Sequence, residues 1–434
     1  MSLSIIGIAG IIVLLILFAI GVPVAFAMAL VGLIGFCYIV SPLAGLELLA
    51  MDFFENFSSY SLTVIPLFVF MGSIAFEGGL STRLYNAAYT MFGRRRGGLA
   101  VATIGAAAGF SAICGSTNAA AAAMARVSLP EMKKHGYADV LATGCVASSG
   151  TLGILIPPSA LLIVYGILTQ QGIGKLFIAG ILPGLLLSFL FMITVLAWCW
   201  YDPSLGPAGP STTLKQKIQG LTGVIEMLLL FLFVMLGLFL GWFSPTQAGG
   251  AGAAGALIIC LIRRTMTWRL FINAGKDTLL ITCMVMFIVT GAMIFGHFLA
   301  VTKIPFILAD WAGSLPIPPM GIIAIIAFLH LVGGCFMDAF ALIVLTVPIV
   351  YPLVIKLGVD PIWFGIIITL LVEMGAITPP VGVNTYVVKG VAGDDVPLSV
   401  IFSGIFPFLG ALILAVVILM IFPQIVTFLP SLMS

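Results

Sequence analysis

Two apolar stretches of this chain are broken at their middles in the same way. Residues Gly153–Gly166 read GILIPPSALLIVYG, and residues Gly375–Gly390 read GAITPPVGVNTYVVKG. Proline has no N–H to donate and its ring clashes with the preceding turn, so helices break at Pro157-Pro158 and Pro379-Pro380. In a bilayer, backbone groups freed by such a break survive only when buried in protein or lining a wet cavity. The chain must therefore enclose both breaks, and matching breaks in two halves point to the central binding site of a transporter.

The membrane setting follows from composition. Of 434 residues, 62% are hydrophobic and 7% are charged, against about a quarter charged in soluble domains. The expected fold class is an all-α polytopic membrane protein. A net charge of +2 gives no footing for nucleic acid. The seven Cys and three His are dispersed, which argues against a disulfide framework or a zinc centre. The N-terminus has no basic leader region and stays apolar through Val40, so it reads as mature transmembrane structure rather than a signal peptide.

Apolar spans are expected at 4–20, 22–40, 62–77, 98–127, 141–168, 176–200, 218–241, 247–262, 278–300, 318–355, 362–388 and 398–428. Two are anomalous. Residues 98–127 hold Gly115-Ser116-Thr117-Asn118 at their middle, and 318–355 hold Gly333-Gly334 and Asp338. Small or polar tips inside apolar stretches suit re-entrant helical hairpins. The basic loops at Arg94–Arg96, Lys133-Lys134, Lys215/Lys217 and Arg263–Lys276 are assigned to the cytoplasm. Alternation then leaves Lys175, Lys303 and Lys356 outside and Arg126 within a hairpin, which meets the positive-inside rule. The two hairpins then open to opposite sides, giving two inverted structural repeats. Gly115 corresponds to Gly334, His135-Gly136-Tyr137 to Leu357-Gly358-Val359, and Phe177–Gly184 to Ile401–Phe408. Short segments before each hairpin, Ser81–Phe92 and Lys303–Trp311, suit arms at the membrane surface, and Arg263–Lys276 suits another surface element or a solvated loop.

Hairpin tips and broken-helix loops both present main-chain carbonyls, which coordinate sodium at helix C-terminal ends. One candidate Na⁺ cage combines Ser116 and Thr117 with Gly153, Ile156 and Pro158; the other combines Gly333, Gly334 and Cys335 with Gly375, Thr378 and Pro380. Substrate binding or coupling is assigned to Asn118, Ser159, Met337, Asp338 and Asn384. Asp338 is the sharpest of these, because an ionisable group inside a span is costly and usually functional. The plainer role for it is a cap on the hairpin's second helix. Glu373 divides between a polar role near the site and a buried pair, and Arg126 reads as a snorkelling or paired side chain. No GxxxxGKS/T occurs, so no ATP chemistry is expected, and no nucleophile–base pair marks an enzyme.

The segments CGSTNAAAAAMARVSLPEMKKHGY, ILIPPSALLIVYG, GGCFMDAFALIVLTVPIVYPL and GAITPPVGVNTYVVKGVAG, with the N-terminal GVPVAFAMAL, resemble the large membrane subunit of TRAP transporters, the tripartite ATP-independent periplasmic uptake systems. The resemblance covers essentially the whole chain. It implies sodium-driven secondary uptake of an organic anion such as a C4-dicarboxylate, sialic acid, or other sugar or keto acid, across the bacterial inner membrane. It also implies a small membrane subunit and a periplasmic substrate-binding protein as partners, and an elevator-type scaffold plus transport domain. On that scheme 1–97, 173–317 and 397–434 are scaffold with arms, and 98–172 and 318–396 are the transport domain. Cys114 departs from the serine common in the family, which puts a side-chain role there in doubt. The competing reading is a proton-coupled carrier or antiporter of related inverted-repeat fold, using Asp338.

Overall fold

A computed structural model describes residues 2–209 and 214–433, which among themselves contain helices and no strands. The side chains of Lys215 and Lys217 lie outside the described residues. The N-terminal helices are α1 (Leu3–Ala19), α2 (Val24–Ile39), α3 (Pro42–Ser58), α4 (Val64–Glu77) and α5 (Leu80–Phe92). A hairpin follows, α6 (Gly98–Cys114) and α7 (Thr117–Lys134), then a broken helix in pieces α8 (Asp139–Gly150), α9 (Leu152–Leu155) and α10 (Ala160–Thr169). Next come α11 (Ile173–Tyr201), α12 (Leu214–Phe239), α13 (Pro245–Ile262), α14 (Trp268–Thr302) and α15 (Ile304–Gly313). The order then recurs: hairpin α16 (Pro319–Gly334) and α17 (Ala339–Lys356), broken helix α18 (Pro361–Ile377) and α19 (Val383–Ala392), then α20 (Leu398–Ile421) and α21 (Gln424–Ser431).

Both hairpins close as the polar tips require. The Leu99 N–H at the start of α6 donates to Tyr137 Oη just beyond α7, at 3.1 Å, so the two outer ends meet. Across the second hairpin, His330 Nε2 lies 2.9 Å from Thr346 Oγ1. At ~1.5 Å per residue, α6 and α16 are shorter than the ~30 Å hydrocarbon core. The broken helices sit at the centre, where α8, α10 and α18 are buried nearly throughout. Each second piece leans on the opposite hairpin, α10 on α17 and α19 on α7. Tyr165 Oη on α10 donates to the Pro361 carbonyl at 2.6 Å, tying the second piece of the first broken helix to the start of α18. Outside them, α1 exposes Ile5, Ile8, Ile12 and Ile16, and α2 exposes Phe26, Leu30 and Ile34. A continuous apolar face of this kind is what lipid or another membrane helix covers.

Three expectations change, and the two N-terminal spans keep the separate places expected of them. The stretch between the second and third predicted spans is helical (α3), and it meets the next helix at a 54° bend. The first two segments are separate helices, because Gly21 and Pro23 break the run. The basic stretch Arg263–Lys276 is not a separate surface element. Thr267 Oγ1 accepts the Leu270 N–H, and with no proline after it the helix runs unbroken for 35 residues from Trp268 to Thr302. The last span ends at Ile421, where Phe422 and Pro423 separate α20 from α21.

The two segments expected as arms are α5 and α15, and each is pinned to the outer end of its own hairpin at the same place in the repeat. Tyr89 Oη on α5 lies 3.4 Å from His135 Nε2, and Lys356 Nζ donates to Asp310 Oδ1 of α15 at 2.6 Å. Both pairs are 46 residues apart in sequence. The ion pair is well exposed, so Lys356→Met should cost under about 1 kcal/mol of stability, read as a small shift in thermal unfolding in detergent. A large shift would mean that the pair carries weight beyond its Coulomb attraction.

Candidate functional site

Each hairpin tip is pressed against the broken-helix loop of its own half. Ser116 caps α7 by accepting the Ala119 N–H at 3.5 Å, and Gly115 turns the chain at φ +64°. The Gly115 carbonyl accepts the Ala160 N–H at 3.4 Å. A Cβ on Gly115 would sit 2.6 Å from the Pro158 carbonyl oxygen, and one on Gly153 would sit 2.7 Å from the Ser116 oxygen. In the second half the Cys335 carbonyl accepts the Val381 N–H at 3.3 Å, a tip-to-loop bond one residue out of step at each end with the Gly115–Ala160 bond, and the backbones of Gly334 and Gly375 touch. Ser116, Gly153 and Pro158 thus come together, as do Gly334, Cys335 and Gly375. Gly333 lies one turn back, where its carbonyl accepts the Phe336 and Met337 N–H groups. Thr378 Oγ1 donates to the Met374 carbonyl at 2.6 Å, and Pro380 is exposed. The Ile156 side chain packs on Gly184 of α11, away from the tip.

The tips differ in form. Gly115 is left-handed whereas Gly334 ends α16 in helical geometry, because the first tip turns in two residues and the second spreads the turn over Cys335–Asp338. They also differ in cover. Residues 150–165 around Pro157-Pro158 are all buried, while Phe336, Asp338, Pro379 and Pro380 are exposed.

Between the tips lies a cavity of about 40 Å³ that draws on both halves: Gly115–Asn118 from the first tip, Asp338 from the second, and Glu373 and Asn384 from the second broken helix. Asp338 Oδ1 accepts the Phe340 N–H at 2.9 Å, so this residue caps α17 and faces the cavity at once. Glu373 is 2% exposed. The Thr117 hydroxyl is a hydrogen-bonding neighbour of the Glu373 carboxyl, but among the described residues Glu373 Oε2, Thr117 Oγ1 and the two amide atoms of Asn384 lack a well-formed hydrogen bond. Leaving such buried atoms unpaired costs about 1–3 kcal/mol each, so the space suits water or a hard cation. Ser159 and Met337 line neither this cavity nor its neighbour. Ser159 Oγ accepts the Leu162 N–H at 3.2 Å as a cap, and Met337 packs on the apolar core.

A second cavity, of about 410 Å³, opens on the other side of the first tip. Its walls include Ser73 of α4, Ser116, Asn118 and Arg126 of the first hairpin, Asp277 of α14, and Asp338. Its volume falls in the range of about 300–1,000 Å³ typical of small-molecule sites.

A family model described as "Tripartite ATP-independent periplasmic transporter, DctM component" matches residues 11–425. The chain belongs to this family. It is therefore a TRAP large permease subunit, a multi-pass membrane protein and a transport component rather than an enzyme. It is 35% identical to the C4-dicarboxylate TRAP transporter large permease protein DctM of Pseudomonas aeruginosa, over 88% of this chain and 87% of that one. It is 31% identical to the sialic acid TRAP transporter large permease protein SiaM of Vibrio cholerae, over 95% of each chain. The solved YdaH transporter of Alcanivorax borkumensis, described as having an unusual topology, shares the fold with a TM-score of 0.63 at 15% identity. That match covers 88% of this chain and 89% of the other.

In this TRAP permease Glu373 takes the first of its two expected roles, a polar group at the site, whereas the reading of isolated segments missed Arg126, Asp277 and Ser73 as lining residues. Glu373 had a signal, a carboxylate two residues before Gly375. Ser73 and Asp277 had none, because α4 and α14 reach the cavity only in three dimensions. The uneven cover of the tips has a chemical consequence. In a protein whose Cys37 and Cys283 are replaced by Ser, Cys335, half-buried, should react with a water-soluble maleimide, while buried Cys114 and Cys145 should not. Mass spectrometry of the labelled protein checks this; labelling of Cys114 would show that the first tip opens.

Proposed function

We propose that this chain carries a small organic anion across the bacterial inner membrane, driven by an inward sodium gradient and fed by a periplasmic binding protein, with a small membrane subunit as its partner. The observation that carries the reading is the meeting of each carbonyl-rich tip with its own broken helix, so that ion and substrate share one set of backbone elements. Sodium at Ser116, Gly153 and Pro158, and at Gly334, Cys335 and Gly375, would hold tip and loop together, with Thr117, Ile156, Gly333, Thr378 and Pro380 completing the two cages. Ordering both tips forms the walls that Asn118, Asp338 and Asn384 present to the substrate. Coupling then follows from linkage, since ion and substrate favour the same state. The substrate classes named for the two relatives, C4-dicarboxylates and sialic acid, are the first candidates. Transport would be a rigid shift of both hairpins and broken helices against the remaining helices, the elevator motion, which fits the way α10 and α17, and α19 and α7, interlock.

One observation favours a second reading. Glu373, buried and with an unpaired oxygen in the central cavity, suits a proton carrier together with Asp338. Uptake into proteoliposomes holding this chain and its small subunit separates the two. Labelled acid and loaded binding protein are supplied outside, with a sodium gradient, a pH gradient or neither. Uptake that requires sodium and the binding protein supports the symporter, and uptake driven by pH alone overturns it in favour of the proton carrier.

A further inference from the structure

We infer that Arg126 is the anion-recognising residue of the larger cavity, and that the substrate is a monocarboxylate bearing hydroxyl or ammonium donors rather than a dicarboxylate. This deepens the transport reading above and rests on it. Arg126 lies on α7, nine residues after Thr117 begins that helix, so the first hairpin carries it along with the tip. Its guanidinium stands over the Phe76 ring of α4, 5.4 Å from the centroid, a contact that fixes its plane while leaving its N–H groups free. Among the described residues it makes no ion pair within 4.0 Å. The side chain is exposed, and what it is exposed to is the cavity, which it lines. Glu77 of α4 acts on it only from beyond salt-bridge distance, which leaves the guanidinium N–H groups unpaired, and a carboxylate is their best geometric match, bonding two N–H groups at once.

The remainder of the cavity has the opposite sign. Asp277 faces it from α14 and Asp338 from the second tip, and Arg126 is the one basic residue in the lining. Ser73, Ser116 and Asn118 add neutral hydrogen-bonding groups, and Val69, Leu280 and Met284 supply apolar wall. A molecule with one carboxylate on Arg126 would turn its other end toward carboxylates and neutral polar groups. Hydroxyl or ammonium hydrogens are accepted there, whereas a second carboxylate would meet like charge, which disfavours binding. The cavity therefore selects polar monocarboxylic acids, of which sugar acids are the simplest class.

The test is direct binding to the complex of this chain with its small subunit in nanodiscs at saturating sodium, which needs neither the binding protein nor transport. Titration calorimetry would compare gluconate and N-acetylneuraminate with succinate. At least one of the two monocarboxylates should bind about tenfold or more tightly than succinate. Arg126→Gln should weaken that binding by about tenfold or more, the loss of a charge-assisted pair. Arg126→Lys should recover part of it, and the sodium half-saturation should stay unchanged in both. Asp277→Asn should narrow the gap to succinate. Equal or tighter binding of succinate, or no binding of either monocarboxylate, overturns the substrate class. Unchanged affinity in Arg126→Gln overturns the role of Arg126. A parallel loss of sodium affinity would mark Arg126 as structural and overturn its recognition role as well. If monocarboxylates bind as expected but no gradient drives uptake, the transport reading fails while this inference stands.

Discussion

Asp338→Asn should lower uptake by about 10–100-fold while leaving thermal unfolding nearly unchanged. Asp338 does two jobs that this substitution separates. Its Oδ1 accepts the Phe340 N–H and caps α17, and an asparagine oxygen can do the same, because Asn and Asp are comparable caps. What asparagine cannot supply is the negative charge that Asp338 brings to both cavities. An interaction with a charged group is worth about 1.5–3 kcal/mol, or one to two decades in an equilibrium. Asp338→Ala should show the same functional loss plus about 1 kcal/mol of destabilisation from the lost cap. The measurements are uptake into proteoliposomes and thermal unfolding of the purified chain. Full transport by Asp338→Asn would leave the cap as the residue's whole role.

The second large effect is expected at the first tip. Gly115→Ala should lower uptake by about tenfold or more and destabilise the protein more than Gly136→Ala does. Both glycines are left-handed, at φ +64° and +71°. An alanine at either position bears the same conformational cost of about 1–2 kcal/mol. Their surroundings differ: a Cβ at Gly115 would meet the Pro158 carbonyl oxygen at 2.6 Å, and one at Gly136 would have nothing within 4 Å. The excess effect at Gly115 is therefore steric, and pushing the tip off the broken-helix loop costs about 1–3 kcal/mol more. It also moves the carbonyls proposed to hold sodium, so the sodium concentration for half-maximal uptake should rise in Gly115→Ala alone. Equal behaviour of the two variants would mean that contact between tip and loop is unimportant for function.

The fold was legible from the sequence to the extent that backbone chemistry governs it. Pro157-Pro158 and Pro379-Pro380 had to interrupt their helices, and they do, at Leu155 and Ile377. Ser116 and Asp338 were visible as polar residues in apolar runs, and each caps the second helix of its hairpin. The segments Ser81–Phe92 and Lys303–Trp311 match α5 and α15 to within two residues. Ser159 was misjudged as facing the cavity, since a serine after a proline pair is equally suited to cap the helix it begins. The extension of α14 back into the basic stretch, to Trp268, was missed because charge was weighed above the absence of a breaker.

What the sequence determined, then, is everything that rests on local rules: the membrane setting, the broken helices and the polar tips. These follow from covalent geometry and from the need of every buried backbone group for a partner. Only the tertiary structure decided which tip is covered and which is open, how each half interlocks with the other, and which distant residues share a cavity. Thr117, Asp338, Glu373 and Asn384 converge, and Arg126 shares a cavity with Asp277, because helices far apart in the chain pack side by side. Such meetings depend on the shapes of whole helix faces, which no single segment encodes.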